Sequence, residues 1–390
     1  MKGWIKSIRQ SKALTFVAIT DGSRDHQLTI HDGTPIEGEL KVGASFEADG
    51  IDSVTPRGFP EFVVSKLTIL GMSDDSYPIQ PKQHSYDFLR TIPESRGRTK
   101  TFAAIWKIRH CLTQAIHRHL DSEGFYQFYT PIITTADCEG AGETFEIKSD
   151  WMSEQLTVSG QLHGEVGMMS LGRIYTFSPC FRAEKSEGRR HLSEFWMVEP
   201  EIAFVKMDES MDIAEKLIKK SIQYVVDRCE YEFKQLEVDP TFLRELVEQT
   251  FIRKEYSEIC QEFKVKFGDD ISAEIERKIT TRYKSPVFIT KYPKDLKPFY
   301  MKKDESVAYC FDLLFPEVGE LIGGSEREED LEKLKSQMVG MDFEKMDWYL
   351  STRKWGTVPH SGFGLGFERL LMFITKVPKI HDTIPFPTSY

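Results

Sequence analysis

Two short stretches of the chain put arginines on otherwise apolar frames. The first, FRAEKSEGRRHLSEFWMVEPEIAF at residues 181–204, gathers Arg182, Arg189, Arg190 and His191 ahead of a strand-like run that carries Glu199 and Glu201 around Pro200. The second, SGFGLGFERLLMFI at residues 361–374, alternates Gly362, Gly364 and Gly366 before Glu368 and Arg369 open a helix. Glycines at every second strand position leave one face bare, so a flat ring such as a purine can lie against the backbone. An arginine beside that face can hold the ligand's phosphate. Arg182, Arg190 and Arg369 together suit a polyphosphate, with Glu184 and Glu320 available for a base edge or a metal. Neither the dinucleotide fingerprint G-x-G-x-x-G nor a Walker loop occurs, which argues against an ordinary dehydrogenase or P-loop NTPase.

The elements that must carry these residues fall into two kinds. Residues 1 to about 71 read as five short strands, GWIKSIR, LTFVAITDGS, HQLTIHDG, SFEADGIDSV and FVVSKLTIL, separated by turn signals, and predict an OB-fold barrel. Residues 72–98 are polar and proline-bearing and read as a linker or hinge. From 99 to 390 strands and helices are segregated rather than alternating as βαβ units, which predicts an α+β domain on a mostly antiparallel sheet. In it, Phe102, Ile105, Ile108, Leu112, Ile116 and Leu120 keep helical spacing. LTVSGQL, RIYTFSPCFRAE, EFWMVEPEIAF, PVFITKYP, FYMKK and AYCFDLLF read as strands, residues 209 to about 283 as helices, and FERLLMFITKV as a final helix. His110, His117 and His119 lack the i, i+4 spacing of a helical metal pair.

Composition sets wider bounds. The 390 residues, 40% hydrophobic and 12% aromatic, are enough for two or three domains with a sizeable core. No window reaches the roughly 18 apolar residues of a membrane span, so the expectation is a cytoplasmic protein with no membrane segment. The six cysteines lie far apart with no C-x-x-C pair, as reduced and mostly buried thiols would. A net charge of −10 reports solubility more than local sites, and basic clusters survive at Lys2, Lys6, Arg9 and Lys12 and again between Arg90 and Arg109.

GFYQFYTPIIT at 124–134, the FRAE…RHLSEF segment and GFGLGFERL resemble, in order, motifs 1, 2 and 3 of the class II aminoacyl-tRNA synthetases. The likeness covers almost the whole chain, and a barrel in front is similar to subclass IIb, which holds the aspartyl, asparaginyl and lysyl enzymes. CEGAGETF, LTVSGQLHGE, GELIGGSERE, KWGTVPHSGFGLGFERL and IPFP resemble the asparaginyl members. In the aspartyl relatives the QL segment carries a lysine for the substrate carboxylate, and here Gly164 stands in that place, followed by Glu165. A carboxylate there could accept from an amide NH₂ but would meet an aspartate as a like charge, a mismatch of several kcal/mol.

The resemblance implies ATP-dependent formation of an asparaginyl adenylate and its transfer to tRNA(Asn), by positioning and charge neutralisation without a protein nucleophile. It implies Arg182 at the α-phosphate and substrate carboxylate and Arg369 at the γ-phosphate. Glu184, Arg190, His191, Leu192, Phe195, Gly364 and Gly366 would complete the ATP site, with Phe195 on the adenine. Glu320 and Asp312 would hold Mg²⁺, and Glu139, Gln161, Glu165 and Arg327 would frame the amino acid. Arg9 and Phe16 of the barrel would meet the anticodon, and motif 1 implies a homodimer. Thr388 and His381 stand where the family often has arginine. Other readings stay open: an aspartyl-tRNA synthetase, a synthetase paralogue that makes an adenylate or asparagine without charging tRNA, and a catalytically silent RNA-binding or regulatory module.

Overall fold

The computed structural model describes residues 1–135, 144–149, 152–183 and 188–388. The chain divides into two compact units, Met1–Thr99 and Lys100–Tyr390.

In the first unit, β1 (Lys2–Gln10), β2 (Leu14–Thr20), β3 (Asp25–His31), β4 (Ile36–Glu37), β5 (Ser45–Val54) and β6 (Pro60–Gly71) run in the order β3-β2-β1-β5-β6-β4. Parallel pairing of β3 with β6 closes the five long strands into the expected barrel. Period-two alternation sends Ile5, Val17, Ile19, Leu28, Ile30, Phe46 and Leu67 inward as its core. Residues 72–99 pack within this unit rather than standing free as a hinge. Gly43, at φ +91°, leaves room for Ser73 and Tyr77, and Arg98 donates to the Gly43 carbonyl at 2.8 Å while its guanidinium lies over the Tyr77 ring.

The second unit adds β7 (Tyr126–Gln127), β8 (Ile133–Thr134), β9 (Glu146–Ser149), β10 (Met152–Leu156), β11 (Arg173–Phe181), β12 (Glu194–Ala203), β13 (Ile252–Glu255), β14 (Val287–Thr290), β15 (Cys310–Phe315), β16 (Gly319–Glu326) and β17 (His360–Gly366). Eight of these form one sheet in the order β13-β14-β15-β16-β17-β12-β11-β7, antiparallel throughout except for the two outermost pairs, which are parallel. The two stretches that carry the arginines therefore become neighbours: β12 pairs with β17, Val198 opposite Leu365 and Glu201 opposite Gly362. Helix Lys100–Ser122 buries all six of its predicted apolar positions, and His117 on it hydrogen-bonds the Tyr175 hydroxyl at 2.7 Å.

Three expectations change. LTVSGQL is not a strand: β10 ends at Leu156, and a helix runs from Gln161 to Leu171. Glu199 supplies the reason, because it accepts from the Gly160 amide at 2.9 Å at the helix start and also from Ser159 and Thr176. The charged stretch 209–283 is broken by β13, which adds to β14 and buries Phe251 beside it. FYMKK makes only isolated bridges, Met301 with Arg327 and Lys303 with Ala308.

Candidate active site

A cavity of about 160 Å³ opens where β12, β16 and β17 meet helix Phe367–Thr375. Arg182, Arg190, His191, Leu192, Phe195, Glu320, Gly364, Gly366 and Arg369 all line it, so nearly every described nucleotide candidate is in one place. Ser193, Met197, Leu321 and Ile380, not singled out from the sequence, and Glu368 complete its wall. Glu184 and Glu139 lie outside the described residues.

Each arginine arrives by a different route. Arg182 follows directly on β11, its amide bonded to the Ser193 carbonyl at 3.0 Å, and its guanidinium lies over the Phe195 ring, 5.4 Å from the centroid. Arg190 sits in the turn before β12, where its Nη1 donates to Glu276 Oε2 at 3.1 Å and to the Val318 carbonyl at 2.9 Å. Arg369 opens the last helix and donates to the Glu320 carbonyl at 2.5 Å. Its neighbour Glu368 is locked from behind: one oxygen meets Arg109 at 2.7 Å, the other accepts from the Trp196 amide at 2.9 Å. Burial, with Arg190 and Arg182 as like charges, pulls the Arg369 guanidinium below its ordinary pKa. Three cations crowded into one desolvated cleft are an anion site.

The alternating glycines divide this face rather than clearing it. A Cβ at Gly362 would collide with the Glu201 carboxylate, so that position is filled by protein. Gly364 and Gly366 line the cavity, with the Met197 methyl 2.7 Å from where a Gly364 Cβ would stand. On the other flank a β-bulge between Leu313 and Leu314 re-aims Glu320 toward Asp312. A Cβ at Gly323 would lie 3.3 Å from Glu320 Oε1 and 3.6 Å from Asp312 Oδ1, so the two carboxylates converge over a bare backbone. Lys297 holds Asp312 Oδ2 at 2.7 Å. Burial and Asp312 together raise the Glu320 pKa.

Farther along the same face of the sheet, beyond Gly362, lies a second cluster with a different character. Arg327, 2% exposed, pairs through Nε and Nη2 with both oxygens of Glu201 and donates from Nη1 to Ser325 at 2.7 Å. Glu165, on helix Gln161–Leu171, accepts from Gln161 at 3.2 Å, from the Tyr349 hydroxyl at 3.0 and 2.9 Å, and from Arg353 at 2.6 Å, with His360 Nε2 3.2 Å away. The predicted Gln161, Glu165 and Arg327 are thus brought together. A carboxylate has about four lone-pair sites; Gln161, Tyr349 and Arg353 supply three donors to Glu165, and His360 Nε2 stands beside the fourth. Burial alone would raise Glu165, but Arg353, His360 and Arg327 hold its carboxyl well below the usual carboxylate range. Glu201 goes the other way: burial pushes it up to about 7 against the pull of Arg327, with Glu165 and Glu199 as like charges.

Sequence reasoning missed Arg353, Tyr349 and Glu276. Arg353 sits in STRKWG, a polar run that reads as surface, yet its side chain is fully enclosed. In the barrel, Arg9 and Phe16 face each other across β1 and β2 with the guanidinium 5.4 Å from the ring centroid.

The architecture and this arginine-lined cavity correspond to one class of enzyme. The profile of the class II tRNA synthetases (D, K and N) matches residues 94–390, and the chain belongs to that family. Within it, the chain is similar to the asparagine–tRNA ligase of Bacteroides fragilis, 42% identical with 100% of this chain and 94% of that protein aligned. A probable mitochondrial asparagine–tRNA ligase of Dictyostelium discoideum is also 42% identical, over 99% and 92% of the two chains. The solved asparaginyl-tRNA synthetase of Pyrococcus horikoshii complexed with asparaginyl-adenylate superposes with a TM-score of 0.93 at 32% identity, covering 100% of this chain and 94% of that one. Among the described residues no helix is long and apolar enough to cross a membrane.

Proposed function

We propose that the chain is an asparagine–tRNA ligase that activates L-asparagine with ATP to the aminoacyl adenylate and then passes the asparaginyl group to tRNA(Asn). What supports this most is the contrast between the two clusters: three arginines converge on one cavity, Arg190 among them paired through one nitrogen to Glu276, while the arginines farther along the same face are each matched by a carboxylate. The first arrangement takes a polyphosphate and the second a neutral polar side chain.

In this reading the asparagine carboxylate attacks the α-phosphorus in line and pyrophosphate leaves; the terminal adenosine hydroxyl of the tRNA then attacks the adenylate carbonyl. Arg182 neutralises the α-phosphate and Arg369 the γ-phosphate, and Phe195, with His191 and Leu192 beside it, receives the adenine. Asp312 and Glu320 suit a hard cation, since they present two convergent oxygens over Gly323. They would hold Mg²⁺, which when bound supplies further neutralisation of the phosphates.

Selection of asparagine follows from charge balance rather than from Glu165 alone. Glu201 already neutralises Arg327, so an aspartate side chain would find no unmatched cation and two nearby carboxylates, Glu201 and Glu165. Gln161 and Arg327 frame the amide, and Glu165 positions both. The barrel face with Arg9 and Phe16 serves the anticodon, as an aromatic ring under a cation stacks a base. The segment from β7 to β8, edge strands of two different sheets, exposes Tyr126, Tyr129, Ile132 and Ile133, an apolar strip suited to a second copy in a homodimer. The test is amino-acid-dependent ATP–pyrophosphate exchange with asparagine and aspartate compared, followed by charging of tRNA. Exchange and charging with asparagine alone are expected; exchange with aspartate alone, or with neither, would overturn the reading.

A further inference from the structure

Arg190 is held differently from the other two cavity arginines. Both bonds it makes to protein use one nitrogen: Nη1 donates to Glu276 Oε2 at 3.1 Å and to the Val318 carbonyl at 2.9 Å. A guanidinium has five N–H groups in a rigid fork. Both hydrogens of Nη1 are spent on Glu276 and Val318, and Nε and Nη2 have no protein partner among the described residues.

The seat is built for this contact. Gly319 follows Val318 at φ +74°, a conformation that favours glycine, and a Cβ there would collide with both Arg190 Nη1 and Glu276 Oε2. Glu276 comes from helix Ala273–Tyr283, which Ser272 caps through the Ile275 amide and which is anchored by the fully buried Ile279. The reaction outlined above uses no residue of that helix. Glu320 follows Gly319 directly, and both it and Arg190 line the cavity.

We infer that Glu276 is a positioning residue for ATP: it clamps one end of the Arg190 guanidinium over Gly319 so that Nε and Nη2 face the polyphosphate. The clamp is made before the nucleotide arrives, and it costs ATP none of the donors it needs. The opposite sign, an acid that competes with phosphate for Arg190, would have Glu276 take Nε or Nη2, and it takes Nη1.

The inference rests on the proposed ATP chemistry, and its test separates the two. Hydrogen exchange of the ligand-free enzyme is followed over residues 188–193 in the wild type, Glu276→Gln and Glu276→Asp, together with ATP affinity by calorimetry and the ATP and asparagine KM values in pyrophosphate exchange. Loss of one charge-assisted clamp should weaken ATP about tenfold in Glu276→Gln. The asparagine KM should hold, Glu276→Asp should recover part of the loss, and exchange over 188–193 should rise. In an Arg190→Met background Glu276→Gln should add nothing. Unchanged ATP affinity with faster loop exchange would leave the ligase reading standing and sink the inference, as would an equal loss in the Arg190→Met background. A wild-type enzyme that binds no ATP would defeat the underlying reading, and the inference with it.

Discussion

The two arginine clusters of the catalytic unit lie on opposite terms with their surroundings. Around the cavity, Arg182, Arg190 and Arg369 crowd together, and burial with this mutual repulsion depresses the pKa of Arg369. Farther along the same face, Arg327 and Arg353 are paired with Glu201 and Glu165 at hydrogen-bonding distance. Residue types alone would class both as basic. The difference teaches that the net balance of a buried cluster, rather than the presence of arginine, defines what it accepts: three arginines crowded beside Glu276 and Glu320 keep an excess of positive charge for an anion, and a cluster balanced pair by pair rejects one.

The comparison breaks most severely if one matched cation is removed. Arg353→Met leaves Glu165 buried with His360, Tyr349 and, at 3.9 Å, an Arg327 already paired with Glu201. Stranding a buried charge in this way should cost about 3–5 kcal/mol of stability, read from urea unfolding midpoints. A loss below about 1 kcal/mol would show that the cluster is not balanced as described. At the cavity, Arg369→Met should leave folding nearly intact while lowering pyrophosphate exchange about 10²- to 10³-fold. If stability fell as far as in Arg353→Met, the two clusters would not differ in kind.

The strand between the clusters gives a finer test, because its glycines face different ones. Gly362→Ala drives a methyl into the Glu201 carboxylate and so disturbs the Arg327 pair. It should raise the asparagine KM about tenfold with little change for ATP. Gly364→Ala meets only the Met197 methyl at 2.7 Å, the end of a flexible side chain, and should raise the ATP KM about threefold. Steady-state exchange kinetics with each substrate varied in turn would expose a reversed or undivided pattern.

What the sequence disclosed, and what it hid, follows the same division. The barrel was legible because five strands alternate inward and outward over a one-sided core, and helix Lys100–Ser122 because its apolar spacing is regular. The nucleotide site was legible because arginines and alternating glycines on apolar strands have few structural uses. LTVSGQL suggests a strand although its last two residues open helix Gln161–Leu171, because SGQLHGEVGMMS has no regular apolar period: Gln161 and Glu165 are buried while Val166 and Leu171 are exposed, and the helix start is fixed by Glu199 from a distant strand. Arg353 and Glu276 were hidden for a related reason. Each looks like one more charge in a solvated run, and only the sheet order brings it against a partner 188 or 86 positions away. Pairing at that separation leaves no local mark.

The smallest effect separates the clusters by pH. Glu201 is pushed up to about 7 in the fold from an ordinary 4.5, so the folded state holds its proton more tightly than the unfolded chain does. Its contribution to stability is therefore complete below about 4.5 and is lost as pH rises through about 7. Ionisation is what matches Arg327; protonation below 7 leaves that cation partly unmatched and gives this cluster the excess positive charge of the cavity. Discrimination against aspartate should then be widest at pH 8 and narrow about threefold at pH 6, measured as the ratio of kcat/KM for the two amino acids in exchange. In Glu201→Gln the ratio should be low and flat with pH. A wild-type ratio that stayed constant across this window would mean that Arg327 is not the cation whose matching excludes the acid, and selection would have to come from the shape of the site around Gln161.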